Sequence, residues 1–200
     1  MDVKTISLVL IIFVVFLLFE WYQRRKRNNA INSLMTYLNN KDYDSFEKAC
    51  ETKEVKAYIP DYNLNFLKLS AALMQNDNNK IESIIKEFDN IKMTDAQKKA
   101  LYDRCFYYYV GTQNKNKAET YYQLLMNMDG VDKNLYSCFY DTYILKDSKY
   151  LDDLLNKVEN LPINQKLGHY TLIADMYRNK NDDTNAAKYD ELVKELLKKN

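Results

Sequence analysis

Residues 109–125 run YVGTQNKNKAETYYQLL: a polar break, Thr112-Gln113-Asn114-Lys115-Asn116, between two runs of large apolar and aromatic side chains. Such a break joins two helices, and it recurs. Asn39-Asn40-Lys41-Asp42 and Gln75-Asn76-Asp77-Asn78-Asn79 precede it; Lys146-Asp147-Ser148 and Asn179-Lys180-Asn181-Asp182-Asp183 follow it. The centres fall near residues 41, 77, 115, 147 and 181, with gaps of 36, 38, 32 and 34. A period near 35 marks a repeat architecture. Secondary breaks lie between these, around Tyr58–Asp61, Ile91–Asp95, Asp129–Lys133 and Leu161–Asn164, and they hold both prolines and Gly130. Each period therefore contains two helices. The apolar spacing agrees: Ile81, Ile84, Ile85 and Phe88 share one helical face, as do Leu151, Leu154, Leu155 and Val158, and Leu192, Val193, Leu196 and Leu197. The expectation is an all-α chain with about five helical hairpins over residues 28–200, an α-solenoid in which each hairpin buries one face on the next.

This spacing resembles the tetratricopeptide repeat, a helix-turn-helix of about 34 residues. The family places an aromatic late in its first helix, a small residue nine positions on, an aromatic or apolar residue four further, and a small or apolar one three after that. The third hairpin fits with Tyr109, Ala118, Tyr122 and Leu125. The fifth keeps Tyr177, Ala186 and Val193 but carries Asp190 at the third place, with Tyr189 beside it. The second reads Ala72, Ile81, Ile85, Phe88; the fourth Thr142, Leu151, Leu155, Val158; and the first, an atypical end repeat, Tyr37, Phe46, Cys50, Lys53.

Residues 1–27 read differently. Thr5 to Phe19 is a charge-free run of 15 residues rich in Ile, Leu, Val and Phe. It extends to 17, Ile6 to Tyr22, if Glu20 reaches the headgroups. Trp21 and Tyr22 suit an interfacial belt, and Arg24, Arg25, Lys26 and Arg27 form a basic stop. Only Lys4, beside Asp2, precedes the run. The pattern predicts one N-terminal transmembrane helix, with the N-terminus outside and the C-terminal domain cytoplasmic, single-pass in the cell membrane. A cleaved signal peptide would place its positives first and small residues at its end. The division expected is an anchor over 1–27 and a repeat domain over 28–200, without a Gly/Ser or Pro linker.

Composition bounds the function. Removing five cations and two acids of residues 1–27 from 29 Lys+Arg and 28 Asp+Glu leaves 24 and 26, a net of about −2 with signs interspersed. That argues against a nucleic-acid partner, which calls for a basic face. Cys50, Cys105 and Cys138 are isolated and odd in number, which predicts reduced, buried thiols and no zinc site. Gly111, Gly130, Gly168, Pro60 and Pro162 are too few to turn a sheet protein. His169 stands alone, and there is no G-x-x-x-x-G-K or G-x-G-x-x-G. The adjacent pairs Asp152-Asp153 and Asp182-Asp183 read as solvated faces. No catalytic residue, cofactor, metal or small-molecule substrate is expected.

The 18 tyrosines are first of all packing residues. The resemblance implies a concave peptide groove on the first helix of each hairpin. Carried across, its candidates are Asn63, Phe66 and Ser70; Asp103 and Tyr107; Lys133, Tyr136, Tyr140 and Tyr143; and Thr171, Asp175 and Arg178. Tyr136, Tyr140 and Tyr143 form one stripe, which is how either an exposed binding surface or a core looks. The Lys/Arg pairs of the family's carboxylate clamp are missing from hairpins two and three. The expected function is a membrane-anchored, non-catalytic scaffold or adaptor that binds a protein partner. The alternatives are a non-catalytic subunit of a membrane enzyme or of a secretion or envelope assembly, and a self-associating homo-oligomer.

Overall fold

The computed structural model describes residues 3–198, with side chains described for all of these except residues 3–9 and 11. It is all-α. The elements are α1 (Val3–Asn39), α2 (Tyr43–Cys50), α3 (Lys53–Tyr58), α4 (Asp61–Gln75), α5 (Asn78–Glu87), α6 (Asp95–Gly111), α7 (Lys115–Met126), α8 (Lys133–Tyr140), α9 (Leu151–Val158), α10 (Ile163–Asn179) and α11 (Asp183–Lys198). The chain divides into two compact units, residues 1–94 and 95–200. The first packs the second half of α1 against α2 and α3, and α4 against α5. The second pairs α6 with α7 and α10 with α11, with α8 packed on α7 and α9 on α10.

One turn design joins the two helices of every hairpin. Lys41, Asn76, Gln113, Lys146 and Asn181 take φ of 57°, 53°, 55°, 58° and 59°. The left-handed residue ends the first helix. In four of the turns the N–H after it bonds back five residues, as from Asp42 to the Tyr37 carbonyl at 2.9 Å and from Asn114 to that of Tyr109 at 2.9 Å, and in the fourth turn Asp147 bonds back six, to the Asp141 carbonyl. The next residue is Asp or Asn, and it starts the second helix. Asp42 accepts from the Ser45 N–H at 3.1 Å, Asp77 from Lys80 at 3.1 Å, Asn114 from Lys117 at 3.2 Å and Asp182 from Asn185 at 3.1 Å. In the fourth turn Asp147 instead accepts from its neighbours Ser148 and Lys149.

Five residues after each left-handed position comes a buried residue. Phe46, Ile81, Ala118, Leu151 and Ala186 are at most 3 % exposed. Turn and core thus repeat together, at spacings of 35, 37, 33 and 35. Two elements depart from the expected hairpins. The second helix of the first hairpin is broken in two, because Thr52 accepts from the Val55 N–H at 3.3 Å and opens α3. And α8 continues into a π turn, Asp141–Leu145, before its left-handed Lys146. The three cysteines are buried thiols.

The N-terminal expectation is corrected. Among the described residues no helix is long and apolar enough to cross a membrane. That removes the transmembrane helix from the fold class, and with it the single-pass localisation with an outside N-terminus and a cytoplasmic domain. The apolar stretch with described side chains, Ile12–Phe19, is eight residues, about 12 Å of helix against roughly 30 Å of hydrocarbon. Glu20 and the Arg24–Arg27 cluster then follow within the same helix. The rest of the expected span falls on residues 5–11, where only the side chain of Leu10 lies among the described residues. Arg24, Arg25, Lys26 and Arg27 do not stop α1. It runs on through the expected boundary at 27/28, and Ala30, Leu34 and Leu38 enter the core of the first unit with Phe46, Cys50 and Leu64. The Arg25 guanidinium lies 5.3 Å from the Trp21 ring centre, and the Lys26 ammonium donates to Glu54 at 3.1 Å.

Candidate functional site

The residues expected to line a groove fall into three situations. In the first unit, Asn63 and Phe66 share a shallow hollow of about 160 Å³ with Ile31, Tyr62 and Leu67. The Ser70 hydroxyl donates to the Phe66 carbonyl at 2.9 Å. In the second unit, several candidates bond to one another across neighbouring hairpins. The Tyr136 hydroxyl donates to Asp103 at 2.6 Å, and that of Tyr143 to Asp175 at 2.8 Å. Arg178 donates to Asp175 at 2.6 Å and also holds Asp190. Tyr136 and Tyr140 are buried, at 5 % and 9 % exposure. Tyr140 stacks on Tyr122 with ring centres 4.5 Å apart. The tyrosine stripe is thus core, and it ties helices together. Lys133 and Thr171 are exposed, and the Thr171 hydroxyl donates back to the Leu167 carbonyl.

Tyr107 alone among the candidates reaches a larger opening. It lines a groove of about 910 Å³ with residues of α8, α9 and the first half of α10. The floor is apolar: Leu135, Phe139, Leu154 and Leu172, with the buried Cys138 among them. The rim is polar: Asp132, Asn134, Asp153, Lys157, Asn164, Gln165 and His169. Leu135 is 42 % exposed. Asp132 caps α8 through the Leu135 N–H at 3.1 Å, and Lys157 donates to Asp153 at 2.6 Å.

Burial, helped by the Asp103 and Asp132 carboxylates, pushes the Tyr107 phenol up to about 12. Burial also raises the Cys138 thiol, which stays protonated near neutrality. The Nδ1 of His169 lies 3.0 Å from the Gln165 carbonyl. A carbonyl only accepts, so Nδ1 carries a proton. Among the described residues no three His, Cys, Asp or Glu side chains are grouped to hold a metal.

Sequence reasoning passed over most of this groove. It noted His169 as standing alone and read Asp152-Asp153 as a solvated face. The signal that could have found the site is Gly168, a glycine inside a helical pattern and part of the groove wall. A third opening, of about 230 Å³, lies between α2, α4 and α5. Its mouth is crossed by ion pairs, Lys68 with Glu51 at 3.1 Å and Lys80 with Glu47 at 2.5 Å. In comparison with known proteins, the chain matches no family, no curated protein and no solved structure.

Proposed function

We propose that this chain is a non-catalytic scaffold whose helical hairpins hold a segment of a protein partner, and that the hairpins are divergent tetratricopeptide repeats. The observation that carries the reading is the coincidence of turn and core. A left-handed residue, an Asp or Asn after it and a buried residue five positions on recur five times at a mean spacing of 35. Most positions that the family reserves for packing support the repeat assignment: Tyr109, Ala118, Leu125, Ala72, Ile81, Phe88, Leu151, Val158 and Ala186 are buried, and Tyr122, Ile85, Leu155, Tyr177 and Val193 half-buried. Repeat arrays of this kind present extended surfaces to other proteins. The groove of α8, α9 and α10 supports the binding role, because it presents the exposed Leu135 and the half-buried Phe139 above buried Leu154 and Leu172, while the neighbouring tyrosines are occupied by ties between helices.

The test is in-cell crosslinking of the full chain, followed by identification and stoichiometry of what is captured. One protein recovered near one-to-one is the expected result. A chain recovered without any other protein would sink the scaffold reading.

A further inference from the structure

Gly168 lies in the interior of α10, and a Cβ added to it meets no atom within 4 Å. Glycine is the poorest helix former after proline, so neither the helix nor its packing calls for it there. What a glycine on a groove wall permits is the close approach of another backbone. The groove also holds the exposed Leu135 and half-buried Phe139 of α8, above the buried Leu154 and Leu172.

We propose that this groove seats an amphipathic helical segment of the partner. Its apolar face lies on that floor, its backbone passes Gly168, and its Lys or Arg side chains meet the rim acids Asp132 and Asp153. The proposal rests on the scaffold reading and names the chemistry of what is held. A helix is the fitting form because no described strand offers an edge to extend, whereas an apolar groove takes helices by their i, i+3, i+4, i+7 face. The charge follows from the rim. Two carboxylates, Asp132 and Asp153, line it with one lysine, Lys157. The Asp153–Lys157 pair is more than half exposed on both sides, so an incoming cation exchanges with Lys157 at little cost. An acidic segment would meet Asp132 and Asp153 with only Lys157 to offset them.

The experiment uses the full chain and two fluorescein-labelled 18-residue peptides, one patterned with Leu and Lys and one with Leu and Glu in place of Lys. Binding is read by fluorescence anisotropy at fixed salt. The Leu/Lys peptide is expected to saturate the wild type at micromolar concentration and to bind at least tenfold tighter than the Leu/Glu peptide. Gly168→Leu fills the space and should weaken it at least tenfold, while keeping a melting temperature at or above that of the wild type. Asp132→Asn with Asp153→Asn, which keeps the cap of α8, should narrow the preference between the peptides at least fivefold. No saturable binding, equal affinity for the two peptides, or unchanged affinity in a folded Gly168→Leu variant each overturns the proposal. A cellular partner captured equally by wild type and Gly168→Leu removes the groove assignment and leaves the scaffold standing. No captured partner at all removes the scaffold reading itself.

Discussion

Lys41, Gln113 and Lys146 hold a backbone conformation that costs an ordinary L-residue about 1 kcal/mol, whereas asparagine, as at Asn76 and Asn181, tolerates it better. Replacing Lys41 or Gln113 by glycine should therefore stabilise the chain by about 0.5–1 kcal/mol, and replacing Asn76 or Asn181 by less. Urea unfolding of the four variants checks this, and equal effects at lysine and asparagine positions would refute the strain argument. The residue after each turn has its own role. Asn114→Ala removes the cap of α7 and should cost about 1 kcal/mol in the same assay. The caps also bear on acid stability. Hydrogen bonds from Ser45 hold the Asp42 carboxyl below its ordinary value, those from Asn185 do the same for Asp182, and Lys56 and Lys68 pull Glu51 down to about 2. A lowered folded pKa gives stability that is present above the unfolded value and lost as pH falls through the folded one. Stability should thus decline from about pH 4.5 towards pH 2, and Glu51→Gln should flatten that decline. The five breaks were legible as clusters of Asn, Asp and Lys. The left-handed turn within each was not, because lysine and glutamine carry no preference for it.

Between elements, tyrosine hydroxyls do the tying in the second unit. Tyr136 on α8 reaches Asp103 on α6, and Tyr143 in the π turn reaches Asp175 on α10. Asn179 adds two donations from α10, to the Thr142 carbonyl at 2.8 Å and to that of Asp147 at 3.0 Å, which engages carbonyls of the widened turn and the break after it. Tyr136→Phe and Tyr143→Phe should each cost about 1–2 kcal/mol at neutral pH, since each removes a hydrogen bond to a carboxylate. Burial first, then the carboxylate, raises both phenols above their ordinary value. For a raised phenol the stability is present below about pH 10 and lost as pH climbs towards the folded value. Unfolding free energies measured from pH 9 to 12 should fall, and less steeply in the double phenylalanine variant; an identical slope would show that these phenols do not govern the alkaline limb. The stripe Tyr136, Tyr140, Tyr143 was visible in the sequence, but its direction was not. A stripe at i, i+4, i+7 has one pattern whether it meets solvent or a neighbouring helix, and only the placement of Asp103, Asp175 and Tyr122 resolves it.

At the scale of the whole chain, two expectations met different fates for one physical reason. Helix pairing is local, written in breaks and apolar spacing, and it was readable from Tyr37 to Val193. The role of an apolar run depends on what surrounds it, and α1 shows this: the helix passes the Arg24–Arg27 cluster unbroken and buries Leu34 and Leu38 beside Phe46. The division at 94/95 was likewise invisible, because Ile91–Asp95 looks like any other break between hairpins. It nonetheless predicts how the chain comes apart. The second unit holds three hairpins, with Cys138, Leu151, Leu154, Val158, Ile173 and Met176 in one cluster and Phe106 between Tyr107, Tyr122 and Tyr136 in another. The first holds two. A hairpin buries its apolar face only against neighbours, so about three are needed for independent stability. A fragment of residues 95–200 should therefore keep a helical circular dichroism spectrum and melt cooperatively, while a fragment of residues 28–94 should be largely unfolded. If the shorter fragment were the stable one, nearest-neighbour stacking would not be what holds these hairpins, and the ion pairs Glu51–Lys68 and Glu47–Lys80, which link α2 to α4 and α5, would have to add substantially to the apolar core of the first unit. Raising the salt concentration separates the two accounts, since exposed ion pairs weaken in salt and apolar stacking does not.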